Sequence, residues 1–143
     1  MQMNRKSLFY TLPAFIFISN ELIRTYIRPE YGKKKYGLIS EILGWLPNLL
    51  AGFGIMAFAV GIVVFIEELN GKKFGQKAKI IGLFFTTLVG GTGLIIHEIS
   101  QKSGGLYYDI DDIIATVIGI AFGIILFYFA LLRKNKNESK QIQ

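Results

Sequence analysis

Three long apolar runs, each broken by charge only at its ends, dominate the chain. Residues 46–66 carry no charge before Glu67, residues 79–98 none between Lys79 and Glu98, and residues 112–132 none between Asp112 and Arg133. A helix needs about 20 mostly apolar residues to cross a bilayer's hydrocarbon core, and each run supplies that length. A fourth segment, 8–27, is apolar as far as Ser19 and then carries Asn20, Glu21 and Arg24. It is expected to be a span as well, because nothing else in the chain would cover its Phe- and Ile-rich half. Pro13 falls about one turn into it, where a proline costs least. Arg5 and Lys6 resemble the basic start of a signal peptide, but no small-x-small cleavage site follows, so an uncleaved first helix is expected. Between the first two runs, Leu38, Ile39, Ile42, Leu43 and Leu46 recur at helical spacing opposite Ser40, Glu41 and Gly44. This predicts a short helix lying in the interface, with Trp45 at headgroup depth. The expected fold is therefore all-α. It is a single domain over 1–143, an integral membrane four-helix bundle with a short interfacial helix between spans one and two. A polar, disordered tail is expected over 133–143.

Composition narrows the choice of function. The chain has 143 residues, of which 52% are hydrophobic and 18% charged, and it has no cysteine. That apolar content excludes a disordered chain. The absent cysteine excludes a disulfide scaffold, a thiolate metal site and a cysteine nucleophile. A net charge of +6 would suit nucleic acid or a membrane surface. Because apolar runs separate the basic clusters, the membrane is the expected partner and nucleic acid is not. The sides follow from Lys and Arg in the short loops. The N-terminus, the second loop and the C-terminus together hold ten such residues, and the first and third loops hold six. Both termini are therefore expected on the cytoplasmic side.

Small residues recur where helices would touch. Gly54, Ala57 and Gly61 form one stripe on the second span, and Gly119 and Gly123 form a GxxxG on the fourth. In lipid, close backbone approach is a main source of helix attraction, so these glycines are expected at packing faces.

The chemistry gathers in His97–Gly123. Glu98 and Gln101 share a helix face. Asp109, Asp112, Thr116, Gly119 and Gly123 fall on another face at the start of the last span. A short loop makes those two spans antiparallel, so their acidic ends should meet at the outer mouth. Ionisable groups facing a bundle interior are functional candidates by default, which singles out Glu98 and Asp112. On the first span Arg24, followed by Arg28, could meet these carboxylates or an anionic ligand. The expected binding set is thus Glu98, Gln101, Asp109, Asp112, Thr116 and Arg24. His97-Glu98 begins like a zinc-protease HExxH, but Gln101 stands where the second His is needed. No metal or cofactor is therefore expected, although His97, Glu98, Asp109 and Asp112 could offer ligands to a hard cation.

The segment 94–123 resembles the VanZ-like family of small bacterial membrane proteins. The family pattern is Glu-x-x-Gln at the end of one span, then Asp-x-x-Asp, a polar residue and spaced glycines in the last. It matches Glu98, Gln101, Asp109, Asp112, Thr116, Gly119 and Gly123. Thr116 stands where the family usually has Asn, and Asn48 and Gly52 stand where it often has Asp and His. The resemblance implies a multi-pass protein of the bacterial plasma membrane with a cell-envelope role. The name-giving members are associated with glycopeptide resistance. A lipid headgroup, a lipid-linked envelope precursor or an amphiphilic antibiotic is then the expected class of partner. Two alternatives remain open. One is an intramembrane enzyme using Glu98 and Asp112 as acid and base on a lipid-linked headgroup. The other is a small-solute or ion transporter, which with four spans would need to oligomerise.

The charge asymmetry gives the first prediction. A reporter fused after Gln143 should be active only in its cytoplasmic form, and one inserted between Ser103 and Tyr107 only in its external form. The opposite pattern would invert the assignment of sides.

Overall fold

In a computed structural model, residues 5–32, 36–103 and 110–133 are described, apart from the side chains of 5–7 and 101–103. Lys33–Lys35, Asp109 and the tail after Arg133 lie outside the described residues. All regular structure among those described is helical. Helix α1 spans Arg5–Leu22 and continues without a break through a π turn, Ile23–Ile27, into a one-turn helix α2, Arg28–Tyr31. Helix α3 spans Leu38–Asn70, α4 Gln76–Ser103 and α5 Ile110–Phe127, which ends in a second π turn, Tyr128–Leu132.

Three helices among the described residues are long and apolar enough to cross a membrane: α3, α4, and α5 with its π turn. Helix α1 does not meet that standard, because Arg5, Lys6 and Glu21 all fall within its 18 residues. Its outer face is nevertheless apolar, with Phe15 71% and Ile18 61% exposed. Every long helix turns large apolar side chains outward, among them Phe58, Phe84 and Phe122. Such continuous apolar surface is foreign to a monomer in water.

The separate interfacial helix expected before the second span is corrected by the fold. Leu38–Trp45 forms the first turns of α3, a single helix of 33 residues. At 1.5 Å per residue it runs about 50 Å, well beyond a hydrocarbon core of about 30 Å. Pro47 lies inside it. A proline removes one helical hydrogen bond, yet Leu43 and Pro47 are both buried, and packing carries the helix through.

The bundle is built on α3, which packs most extensively against α5 and next against α1. Helices α3 and α5 run parallel, and their backbones touch. A Cβ on Gly119 would collide with the Leu49 carbonyl oxygen, and one on Gly123 would collide with Met56. On the other partner, a Cβ on Gly52 would lie 2.5 Å from the Thr116 carbonyl oxygen. Below this seam Val60 and Phe127 are wholly buried. A different face of α3 receives α1. A Gly54 Cβ would lie 3.2 Å from Ile16, and a Gly61 Cβ 3.0 Å from the Phe9 carbonyl oxygen. Pro13, four residues after Phe9, has no N–H to offer that carbonyl.

The end of the bundle carrying the loop 71–75 is pinned by polar contacts. Gly71 caps α3 in the left-handed conformation, at φ 62°. The Phe74 N–H donates to Glu67 at 2.7 Å, and Lys79 pairs with Glu67 at 2.8 Å. The Tyr10 hydroxyl donates to Glu68, which ties α1 to the same end.

The glycine contacts predict a graded series. Gly119→Leu and Gly123→Leu, and even Gly119→Ala, should lower thermal stability in detergent by about 1–3 kcal/mol or more, because backbone or a packed side chain must move. Gly54→Ala meets only side-chain atoms and should cost less. Gly44→Ala, with open space around its Cβ position, should be neutral or stabilising. Equal melting of all these variants would contradict the α3–α5 contact.

Candidate functional site

The bundle end opposite the pinned loop holds a cavity of about 690 Å³. Helix α1 and the turns after it contribute Phe17, Asn20, Glu21, Arg24 and Arg28; α3 contributes Pro47, Asn48 and Ala51. The far wall is Leu94, His97 and Glu98 from α4, with Asp112 from α5. Antiparallel α4 and α5 deliver the two carboxylates. The parallel packing of α5 on α3 brings Asp112 to the same end of the bundle as Asn48, and both line the cavity.

Local structure explains how α1 presents its basic residues. Its cavity face follows helical spacing from Phe17 through Asn20, Glu21 and Arg24. Arg24 lies within the π turn and Arg28 just after it. A π turn accommodates an extra residue and rephases the helix, a feature common at functional positions. Both arginines, four residues apart, line the same cavity. Thr25 donates to Glu21 at 2.9 Å across one turn and holds that carboxylate near the helix.

The cavity is electrostatically mixed. Glu98 is buried, at 8% exposure, and Asp112 is half-buried. Asp111 and Asp112 occupy the first turn of α5, where the helix dipole favours negative charge. Among the described residues, no ion pair ties Arg24 or Arg28 to a carboxylate. The Asn20 carbonyl oxygen is buried and has no hydrogen-bond partner among the described residues.

Of the residues singled out by sequence, Glu98, Asp112, Arg24 and His97 share this cavity. Thr116 does not line it. Thr116 is 1% exposed and donates to the Asp112 carbonyl of its own helix at 2.9 Å, beside Gly52 at the α3–α5 seam. Asp109 and the side chain of Gln101 lie outside the described residues. Among those described, no group of three or more His, Asp or Glu side chains could hold a metal ion. Gly54, Gly61, Gly119 and Gly123 sit at helix contacts as given above. Asn20 and Asn48 are lining residues that sequence reasoning passed over. For Asn48 a cue existed, since it is the single polar side chain in the run 46–66. Comparison with protein-family models, with curated proteins and with solved structures returns no match.

Two carboxylates in one cavity should not behave independently. A double-mutant cycle, Glu98→Gln against Asp112→Asn, read by thermal melting, should give a coupling of about 0.5–3 kcal/mol. Additivity within about 0.3 kcal/mol would mean that the two side chains decorate separate helix ends.

Proposed function

We propose that this chain is a multi-pass protein of the bacterial plasma membrane, of VanZ-like type, that binds the charged headgroup of an amphiphile at the outer face. In this reading α1 with its π turn and α2 forms the fourth span. The rod Arg5–Tyr31 runs about 40 Å at helical rise, and its charges lie near its ends. Both termini are cytoplasmic, so the cavity opens outward.

One observation carries the reading: a single cavity is lined by Arg24, Arg28 and Glu21 from the first rod and by Glu98 and Asp112 from α4 and α5, with Phe17 and Leu94 beside them. Ionisable groups that face the interior of a membrane bundle are costly and are kept where they meet a partner. Guanidinium groups suit phosphate or carboxylate through paired hydrogen bonds. Apolar walls beside them suit the first carbons of a lipid. Binding of an envelope lipid or an amphiphilic antibiotic would give the cell-envelope role, and through it a link to glycopeptide resistance. A second reading, an enzyme acting on a lipid-linked headgroup, is favoured by the unequal surroundings of the two acids. Glu98 is more deeply buried than Asp112, and unequal environments split acid and base roles.

The test is mass spectrometry of lipids retained by the full chain in mild detergent. The wild type should keep a phosphate- or carboxylate-bearing amphiphile. Arg24→Gln combined with Arg28→Gln should reduce its retention about tenfold or more, the worth of a charge-assisted hydrogen bond. Equal retention by both proteins would overturn the headgroup site.

A further inference from the structure

A second cavity of about 390 Å³ lies along the seam between α1 and α3, and its lining is apolar. Tyr10, Ala14 and Phe17 face Phe58, Ile62 and Phe65 across it. Phe17 also lines the charged cavity. The two spaces are stacked on one side of the seam, as helical spacing shows. Positions 10, 14, 17, 21 and 24 follow one stripe of α1, and positions 51, 58, 62 and 65 follow one stripe of α3. Gly54 lies at the junction, and a Cβ there would be 3.3 Å from the Phe17 ring. The absent side chain leaves that ring seated on the α3 backbone, between the charged cavity and the apolar groove. At its far end the groove stops at Tyr10, whose hydroxyl is held by Glu68. From Phe17 to Tyr10 it runs roughly 10 Å along the helix.

The charges narrow the headgroup. A purely anionic group in the first cavity would face Glu21, Glu98 and Asp112 as well as the arginines, and a purely cationic one would face both guanidinium groups. Like charges brought together cost binding energy. A headgroup bearing both signs meets an opposite charge for each of its own.

We infer that the two cavities seat one molecule, a phospholipid of the surrounding membrane with an amine-bearing headgroup, its phosphate on Arg24 and Arg28, its ammonium toward Glu98 and Asp112, and one acyl chain in the groove from Phe17 to Tyr10. The inference rests on the headgroup reading above and adds the ligand's class and the place of its chain. The groove gives the chain a fixed apolar wall, and the arginine fork matches phosphate. The carboxylates accept hydrogen bonds from an ammonium.

The experiment titrates myristoyl lysophosphatidylethanolamine into the full chain in maltoside detergent and reads binding by native mass spectrometry. Glycerophosphoethanolamine, the same headgroup without a chain, serves as competitor. Two groove-filling variants are compared, Ala14→Phe and Ile62→Phe. Both positions are exposed on the seam, so neither change invades the core. Each should weaken the lysolipid about tenfold or more by occupying the space of several methylenes. The competitor's affinity should stay the same. Lysophosphatidylglycerol should bind more weakly than the ethanolamine lipid. If both variants bind the lysolipid like wild type while the competitor still displaces it, the chain site is overturned and the headgroup site stands. Equal binding of the glycerol and ethanolamine lipids overturns the zwitterionic assignment. Failure of the competitor to displace, with Arg24→Gln/Arg28→Gln binding unchanged, overturns the headgroup reading itself.

Discussion

Backbone contact between α3 and α5 is the constraint on which the rest of the structure depends. In hydrocarbon, burying apolar side chains gives helices no reason to associate, because lipid tails are equally apolar. In the membrane setting proposed above, attraction must come from packing at short range. Gly52, Gly119 and Gly123 remove the side chains that would hold the two backbones apart, and Leu49, Met56 and Thr116 fill the opposing positions. This register fixes the height of α5 against α3. Asp112 and Asn48 thereby line the same cavity, and the polar end of the bundle takes its form from an apolar contact two turns away.

The two ends of the molecule use charge differently. At the loop 71–75, Glu67, Lys79, Glu68 and Tyr10 partner one another across three helices. Such pairs close an end. At the opposite end Glu21, Arg24, Arg28, Glu98 and Asp112 line a volume of about 690 Å³, while Glu98 and Asp112 keep interactions of their own. Arg24 and Arg28, one turn apart, place two guanidinium groups at that end. Helix α4 packs less extensively on α3 than α5 and α1 do; its Gly90 and Gly91 meet Ile55 and Ile120, and its end supplies one wall of the cavity.

Much of this was legible in the sequence. Long uncharged runs are unambiguous for α3, α4 and α5, since few other structures require 20 apolar residues in a row. The glycine spacing on α5 pointed to a contact face, and Glu98 and Asp112 could be brought together from loop length alone. Other features were not legible. Residues 38–45 read as a separate helix because their apolar stripe lies opposite Ser40, Glu41 and Gly44 and Trp45 suits headgroup depth, whereas in the fold Leu43 and Pro47 are buried and α3 runs on through them. Gly52 was hidden because the stripe of Gly54, Ala57 and Gly61 marks the α1 face, and the α5 face of the same helix is offset from it. Thr116 was grouped with the acids by spacing, but a buried threonine hydroxyl finds its own helix carbonyl first. The π turn has no signature in residue type, although spacing already places Arg28 after Arg24 on one face.

The central claim is that a polar, hydrated cavity penetrates the bundle at the end formed by the first and third loops. The chain has no cysteine, so single cysteines report without background. In sealed vesicles of known orientation, Asn48→Cys and Ala51→Cys should react with a membrane-impermeant maleimide added on the side of those loops. Phe58→Cys, on the apolar groove, should stay silent. Silence at both 48 and 51, or reaction at 58 as fast as at 48, would contradict the account.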